Sequence, residues 1–112
     1  MEYDISLWEK VVEEKRREKE AKRREVLAWA IEALKQYFAD KKVKRVFLTG
    51  SILKENGFHD FSDIDVAVEG LEEDFFRTLV ELEDILGRTV DLIEMEHCCF
   101  RREIEQRGLR LK

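Results

Sequence analysis

Apolar side chains recur along this chain at two different spacings, and the change between them marks where a long helix gives way to a sheet. Leu27, Ala30, Ile31, Leu34 and Phe38 fall three or four residues apart, one stripe of a helix facing a core. Nothing from residue 6 to about residue 38 breaks a helix, and Ser6 with Glu9 three residues on reads as a capping box at its start. Residues 13–20 (EEKRREKE) are charged throughout and have no face to bury. Acid and base residues three or four apart support this stretch as a solvated helix. Trp8, Val11 and Val12 make a separate apolar patch ahead of it. Two readings of that patch stay open: a projecting arm that meets a partner, or a helix start at which Trp8 folds back onto the domain.

Beyond residue 42 the spacing changes. Residues 43–49 (VKRVFLT) are β-rich and run into Gly50-Ser51, a buried strand followed by a sharp turn. Residues 51–56 read as a short helix or irregular loop, and residues 57–61 as loop. Residues 64–69 (IDVAVE) form a second strand closed by Gly70. Residues 71–86 form a second long helix with Phe75, Leu79, Leu82 and Leu86 on one face and Gly87 as its stop. Residues 88–95 (RTVDLIEM) are a third strand, and residues 97–107 a last helix ended by Gly108. This α-β-(α)-β-α-β-α order predicts an α/β (α+β) fold, a mixed sheet of three to four strands with helices packed mainly on one side. Residues 1–42, the long charged helix, and residues 43–112, the core, are expected to form one domain.

Composition narrows the function classes. The chain has 112 residues, enough for one domain, and is 44% hydrophobic and 42% charged, a globular composition with an ionic surface. No apolar run is long enough to span a membrane. The first residues lack the basic, apolar and small-residue pattern of a signal peptide, so a cytoplasmic location is expected. The net charge of −5 argues against a dedicated nucleic-acid binder, which would show a basic face. It leaves a nucleotide open, because metal ions mask phosphate charge. Cys98 and Cys99 are adjacent and cannot build a disulfide framework. With His97 they share no helix face, and no second ligand pair stands at zinc spacing, so they read as small buried hydrophobes. Ser51 lacks the Gly-x-Ser-x-Gly elbow of a hydrolase. His59 and Asp60 read as surface-loop residues, and Arg101, Arg102, Arg107, Arg110 and Lys112 as a solvated basic tail.

The stretch that carries chemistry is Leu48-Thr49-Gly50-Ser51 followed by Ser62-Asp63-Ile64-Asp65-Val66. Residues two apart on a strand point the same way, so Asp63 and Asp65 present their carboxylates on one face while Ile64, Val66 and Val68 point into the core. Two carboxylates side by side raise each other's pKa unless a cation lies between them. Hard oxygen donors of this kind suit Mg²⁺, which completes its shell with water and substrate phosphates. Asp91, polar inside the apolar run Val90-Asp91-Leu92-Ile93, closes a three-carboxylate cluster if its strand pairs beside the second. Gly50 lets backbone approach a phosphate at a strand-to-helix turn, the N–H groups beyond it are free to bind, and Ser51 offers a hydroxyl. One turn for phosphates beside three aspartates for metal is what two-metal catalysis requires.

Together these segments resemble the minimal nucleotidyltransferases of the DNA polymerase β superfamily, a group that includes the antitoxins of HEPN–MNT toxin–antitoxin pairs. The resemblance covers about residues 43–108, including the closing Ile104-Glu105-Gln106-Arg107-Gly108. The long charged helix lies outside the usual core. The resemblance implies a polymerase-β-like core that moves NMP, AMP for choice, from ATP or another NTP to a hydroxyl acceptor, with two Mg²⁺ ions. It implies Asp63, Asp65 and Asp91 as metal ligands, with Asp91 also helping to deprotonate the acceptor. It implies Gly50 and Ser51 as holders of the triphosphate, and Lys54 stands near where the family carries an arginine, as a point charge in place of a fork. For the antitoxin members it implies a HEPN ribonuclease toxin as partner, bound and modified on a tyrosine, in an oligomer or hetero-complex. A non-catalytic antitoxin or nucleotide-binding module, and a transferase for a small molecule or RNA end, remain the alternatives.

Overall fold

A computed structural model of the chain describes residues 5–58 and 62–112. His59 and Asp60, read above as loop residues, lie with Phe61 outside the described residues. The first helix, α1, spans Ile5–Phe38, 34 residues or about 51 Å at 1.5 Å per residue. It begins ahead of Ser6, so Ser6 lies inside the first turn instead of capping it. The molecule measures 65 × 28 × 19 Å, elongated because the first half of α1 projects from the rest. Trp8 is 57% exposed, with Leu7 and Val11 exposed beside it, so the helix start does not fold back. Ion pairs from Glu13 to Arg16 (3.8 Å) and Arg17 (3.6 Å) support the solvated run, as its spacing predicts. The run's last residue departs from that expectation: Glu20 is largely covered, because it and Arg23 meet the turn after the first strand. From there on α1 packs. Val26, Ala30, Ala33, Leu34 and Phe38 are buried, and Leu27 and Ile31 rest against the same cluster.

The sheet has four strands, β1 (Arg45–Thr49), β2 (Ile64–Glu69), β3 (Val90–Glu94) and β4 (Leu109–Arg110), in the order β3-β2-β1-β4. β1 is antiparallel to both neighbours, and β2 and β3 are parallel. The parallel pair is joined by α2 (Phe75–Leu86), the crossover such a pair needs. Asp74 starts α2 by accepting the Arg77 N–H at 2.8 Å, and Gly87, left-handed at φ 64°, ends it. The helix therefore opens later than residue 71, while Leu71 still reaches the core.

Alternation along the strands builds two different faces. Val46, Leu48, Ile64, Val66, Val68, Val90 and Leu92 face α1 and α2 and form the main core. On the other face Phe47 and Ala67 meet Met95 and Ile104, with Ile93 and Cys98 packed against them. Ile104 belongs to α3 (Arg101–Arg107), shorter than the predicted last helix because residues 95–97 form a separate 3₁₀ turn. The sequence predicts both cysteines to be buried; Cys98 is half-buried against this cluster and Cys99 is exposed, because adjacent residues on the extended backbone at Cys98 point opposite ways.

The basic tail is solvated only in part: Arg102, Arg107 and Arg110 are exposed, while the last residues are tied down. β4 pairs with β1, and the Leu111 N–H donates to the Val46 carbonyl at 2.7 Å. The Lys112 ammonium donates to the carbonyls of Phe38 (2.6 Å) and Lys41 (3.0 Å), closing the end of α1 where orphan carbonyls and the helix dipole favour a cation. Among the described residues no helix is long and apolar enough to cross a membrane.

Candidate active site

The face of the sheet that carries α3 is organised in rows. Phe47, Ala67 and Ile93 form an apolar middle row. On one side of it Arg45 lies opposite Glu69. On the other, Thr49 pairs with Asp65 and Asp65 pairs with Asp91, so three polar side chains stand abreast on neighbouring strands. The parallel β2–β3 register is what brings Asp91 beside Asp65.

Asp63 ends up differently. It precedes the first residue of β2 and is exposed, so it stands at the rim while Asp65 is half-buried. Burial first, then the carboxylates of Asp91 and Asp63, push the Asp65 carboxyl up to about 6. Among the described residues no three carboxylate, imidazole or thiol groups stand close enough to make a ready-made metal cage. Asp65 and Asp91 are in the cleft, and Asp63 acts on Asp65 from beside it.

Gly50 follows β1 with φ 86° and ψ −157°, a conformation that residues with side chains avoid. A Cβ built there would lie 2.0 Å from Oδ2 of Asp65. Ser51–Leu53 then form a 3₁₀ turn, with Ile52 buried beneath it. Its bonds run from the Leu53 N–H to the Gly50 carbonyl (3.2 Å) and from the Lys54 N–H to the Ser51 carbonyl (3.0 Å). Thr49, Gly50, Leu53 and Lys54 thus form one wall of a cleft of about 400 Å³ whose floor holds Asp65 and Asp91. Ser51, half-buried, does not line that cleft.

The opposite wall comes from α3 and the residue that precedes it: Phe100, Glu103, Ile104 and Arg107. Sequence reasoning gave these residues no site role, although their i, i+3, i+4, i+7 spacing is the signature of one helix face. Arg107 pairs with Glu103 at 3.6 Å and remains mostly exposed, and Phe100 offers a half-exposed ring. An ion network holds α3 in place. Arg45 binds the buried Glu69 through Nε (2.8 Å) and reaches Glu105 of α3 through Nη1 (3.1 Å), and Arg101 closes on Glu69 from the other side.

This arrangement fits a divalent cation. Its donors are carboxylate oxygens, the hard type Mg²⁺ takes, and crowding of like charges at Asp65 is the penalty a cation relieves. Because Gly50 has no side chain, the Asp65 carboxylate can lie directly against the turn, its Oδ2 2.0 Å from where a Cβ would be.

Comparison with known proteins identifies the family and the fold. The polymerase beta nucleotidyltransferase family matches residues 32–112. Among solved structures, a toxin–antitoxin with AMP-PNP is similar over 73% of this chain and 72% of its own, at 22% identity and a TM-score of 0.60. A mutant of the MntA–HepT toxin–antitoxin is similar at 20% identity and a TM-score of 0.59, over 73% of this chain and 71% of its own. A further structure of the MntA–HepT toxin–antitoxin has 20% identity and a TM-score of 0.54, over 74% and 69%. No curated protein matches.

Proposed function

The chain belongs to the polymerase-β nucleotidyltransferase family, and from that membership we propose that it transfers AMP from ATP to a hydroxyl of a partner protein, as an antitoxin that modifies and neutralises a HEPN ribonuclease toxin. The observation that carries this reading is the row Thr49–Asp65–Asp91 abutting Gly50. A glycine turn in the wall and a carboxylate pair on the floor of one cleft suit a triphosphate with its cation better than they suit an apolar or a peptide ligand. The fold's likeness to a toxin–antitoxin with AMP-PNP supports the choice of an adenine nucleotide, and its likeness to MntA–HepT supports a toxin partner.

Asp63, Asp65 and Asp91 would hold Mg²⁺, which when bound neutralises triphosphate charge. Asp91, exposed at the end of the row, accepts the proton of the attacking hydroxyl. Gly50 and Lys54, on the cleft wall, would offer backbone and a positive charge to the phosphates, and Ser51, beside that wall, would add its hydroxyl by turning toward them. The acceptor oxygen forms a bond to the α-phosphorus, the α–β anhydride bond breaks, and pyrophosphate leaves. The projecting start of α1, with Leu7, Trp8 and Val11 exposed, is the surface offered to the partner.

The test is transfer of label from ATP with Mg²⁺ into proteins of a lysate of the source cells, comparing α- with γ-phosphate label and wild type with Asp65→Asn. Protein-bound α label that disappears in the variant is expected. No label from any nucleotide, with a toxin still captured by the chain, would replace this reading with a non-catalytic antitoxin.

A further inference from the structure

We propose that Glu20 and Arg23, in the charged part of α1, are positioning residues that fix the Gly50–Gly57 turn in the shape it needs to receive a triphosphate. What the turn binds rests on the reading given above; the clamp itself rests on geometry. The turn's internal bonds use the carbonyls of Gly50, Ser51 and Lys54. The Ile52 carbonyl is met by α1 instead: Arg23 Nη1 donates to it at 2.7 Å, a buried bond. The Asn56 N–H is met from the same place, donating to Glu20 Oε2 at 2.9 Å. Asn56 stands at φ 60°, a left-handed conformation that needs support from its surroundings. The two side chains are joined to each other, with Arg23 Nε 3.0 Å from both oxygens of Glu20.

Side chains three apart on a helix are commonly a surface ion pair. Burial distinguishes this one: the Arg23 side chain is 9% exposed and that of Glu20 13%. Taking both charges out of water costs free energy that a surface pair does not face, and only full hydrogen bonding offsets it. The Arg23 guanidinium and the Asn56 amide hold the Glu20 carboxyl down to about 2, so the clamp stays ionised in neutral solution. The planar guanidinium reaches a carboxylate and a carbonyl together, which an ammonium cannot do in the same geometry. The clamp therefore ties the arm helix to the turn at the mouth of the cleft and fixes the backbone of the wall that Gly50, Leu53 and Lys54 form.

The experiment compares wild type, Arg23→Ala, Arg23→Lys and the exchange variant Glu20→Arg/Arg23→Glu. The exchange keeps an ion pair on the helix, but an arginine at 20 cannot accept the Asn56 N–H and a glutamate at 23 cannot donate to Ile52. Amide hydrogen exchange over residues 51–57 is expected to accelerate roughly tenfold or more in the alanine and exchange variants, with residues 64–69 unchanged. KM for ATP is expected to rise roughly ten- to a hundredfold, more than kcat falls, with the lysine variant intermediate. An exchange variant that behaves as wild type would reduce the pair to a helix ion pair and overturn the proposal. So would faster exchange spread evenly over turn and sheet, or an unchanged KM beside a loosened turn. If Arg23→Ala does not fold, the lysine and exchange variants carry the comparison. If the wild type transfers no nucleotide, the enzymatic reading fails, and the exchange pattern still decides whether the clamp exists.

Discussion

Gly50 and Asp65 stand so close that no side chain fits between them: a Cβ on Gly50 would lie 2.0 Å from Oδ2 of Asp65 and 2.9 Å from its Cγ. The contact ties the turn that would bind phosphate to the carboxylate that would bind metal. Gly50→Ala is expected to cost roughly 1–3 kcal/mol, from the positive φ and the displaced carboxylate. It is also expected to remove stabilisation by Mg²⁺ and ATP. Urea unfolding with and without both ligands measures the two effects. A variant as stable as wild type and still responsive to ligand would show that the carboxylate yields freely.

The Asp65 carboxyl titrates near 6 in the metal-free fold, above its ordinary value of 3.8, first through burial and then through Asp91 and Asp63. Between those values the folded state holds a proton that the unfolded chain has released. Metal-free stability is therefore expected to fall as pH rises from about 4 to 6. Mg²⁺ needs the ionised form, so its binding strengthens over the same window. Denaturation at pH 4.5 and pH 7, with and without Mg²⁺, checks both slopes. Asp65→Asn is expected to flatten them, and slopes that survive in the variant would assign them to another group.

Glu69 is buried between Arg45 and Arg101. Glu69→Ala leaves Arg45 of the sheet and Arg101 of α3 with only Glu105 between them and is expected to destabilise the fold by roughly 2–4 kcal/mol. Because this network seats α3 over the cleft, the folded fraction of the variant is expected to bind ATP more weakly. Unfolding curves and a nucleotide titration report the two separately.

Lys112→Ala removes the ammonium that meets the Phe38 and Lys41 carbonyls. A loss of about 1–2 kcal/mol is expected, with faster amide exchange confined to the end of α1 and to β1. Unchanged protection there would mean that water replaces the ammonium without cost.

How much was legible before folding depended on the range of the interaction. The period-2 run of β2 and the stop at Gly87 are local, and the structure has both where the sequence predicts them. The α1 stripe is local too, shifted only enough to bring in Val26 and Ala33. β4 was not legible, because Leu109–Arg110 is a strand only through its partner β1. The same holds for Lys112, whose partners lie more than seventy residues away in the chain.

By itself the sequence determined the helical arm, the strand carrying Asp65 and the turn at Gly50, since each follows from spacing and backbone preference within a few residues. Tertiary structure alone decided that Asp91 stands beside Asp65 while Asp63 stays at the rim, because strand register is a pairing between distant segments. It alone turned α3 into a wall of the cleft. It also drew Glu20 and Arg23 out of solvent, since only the folded chain brings the Ile52 carbonyl and the Asn56 amide within their reach.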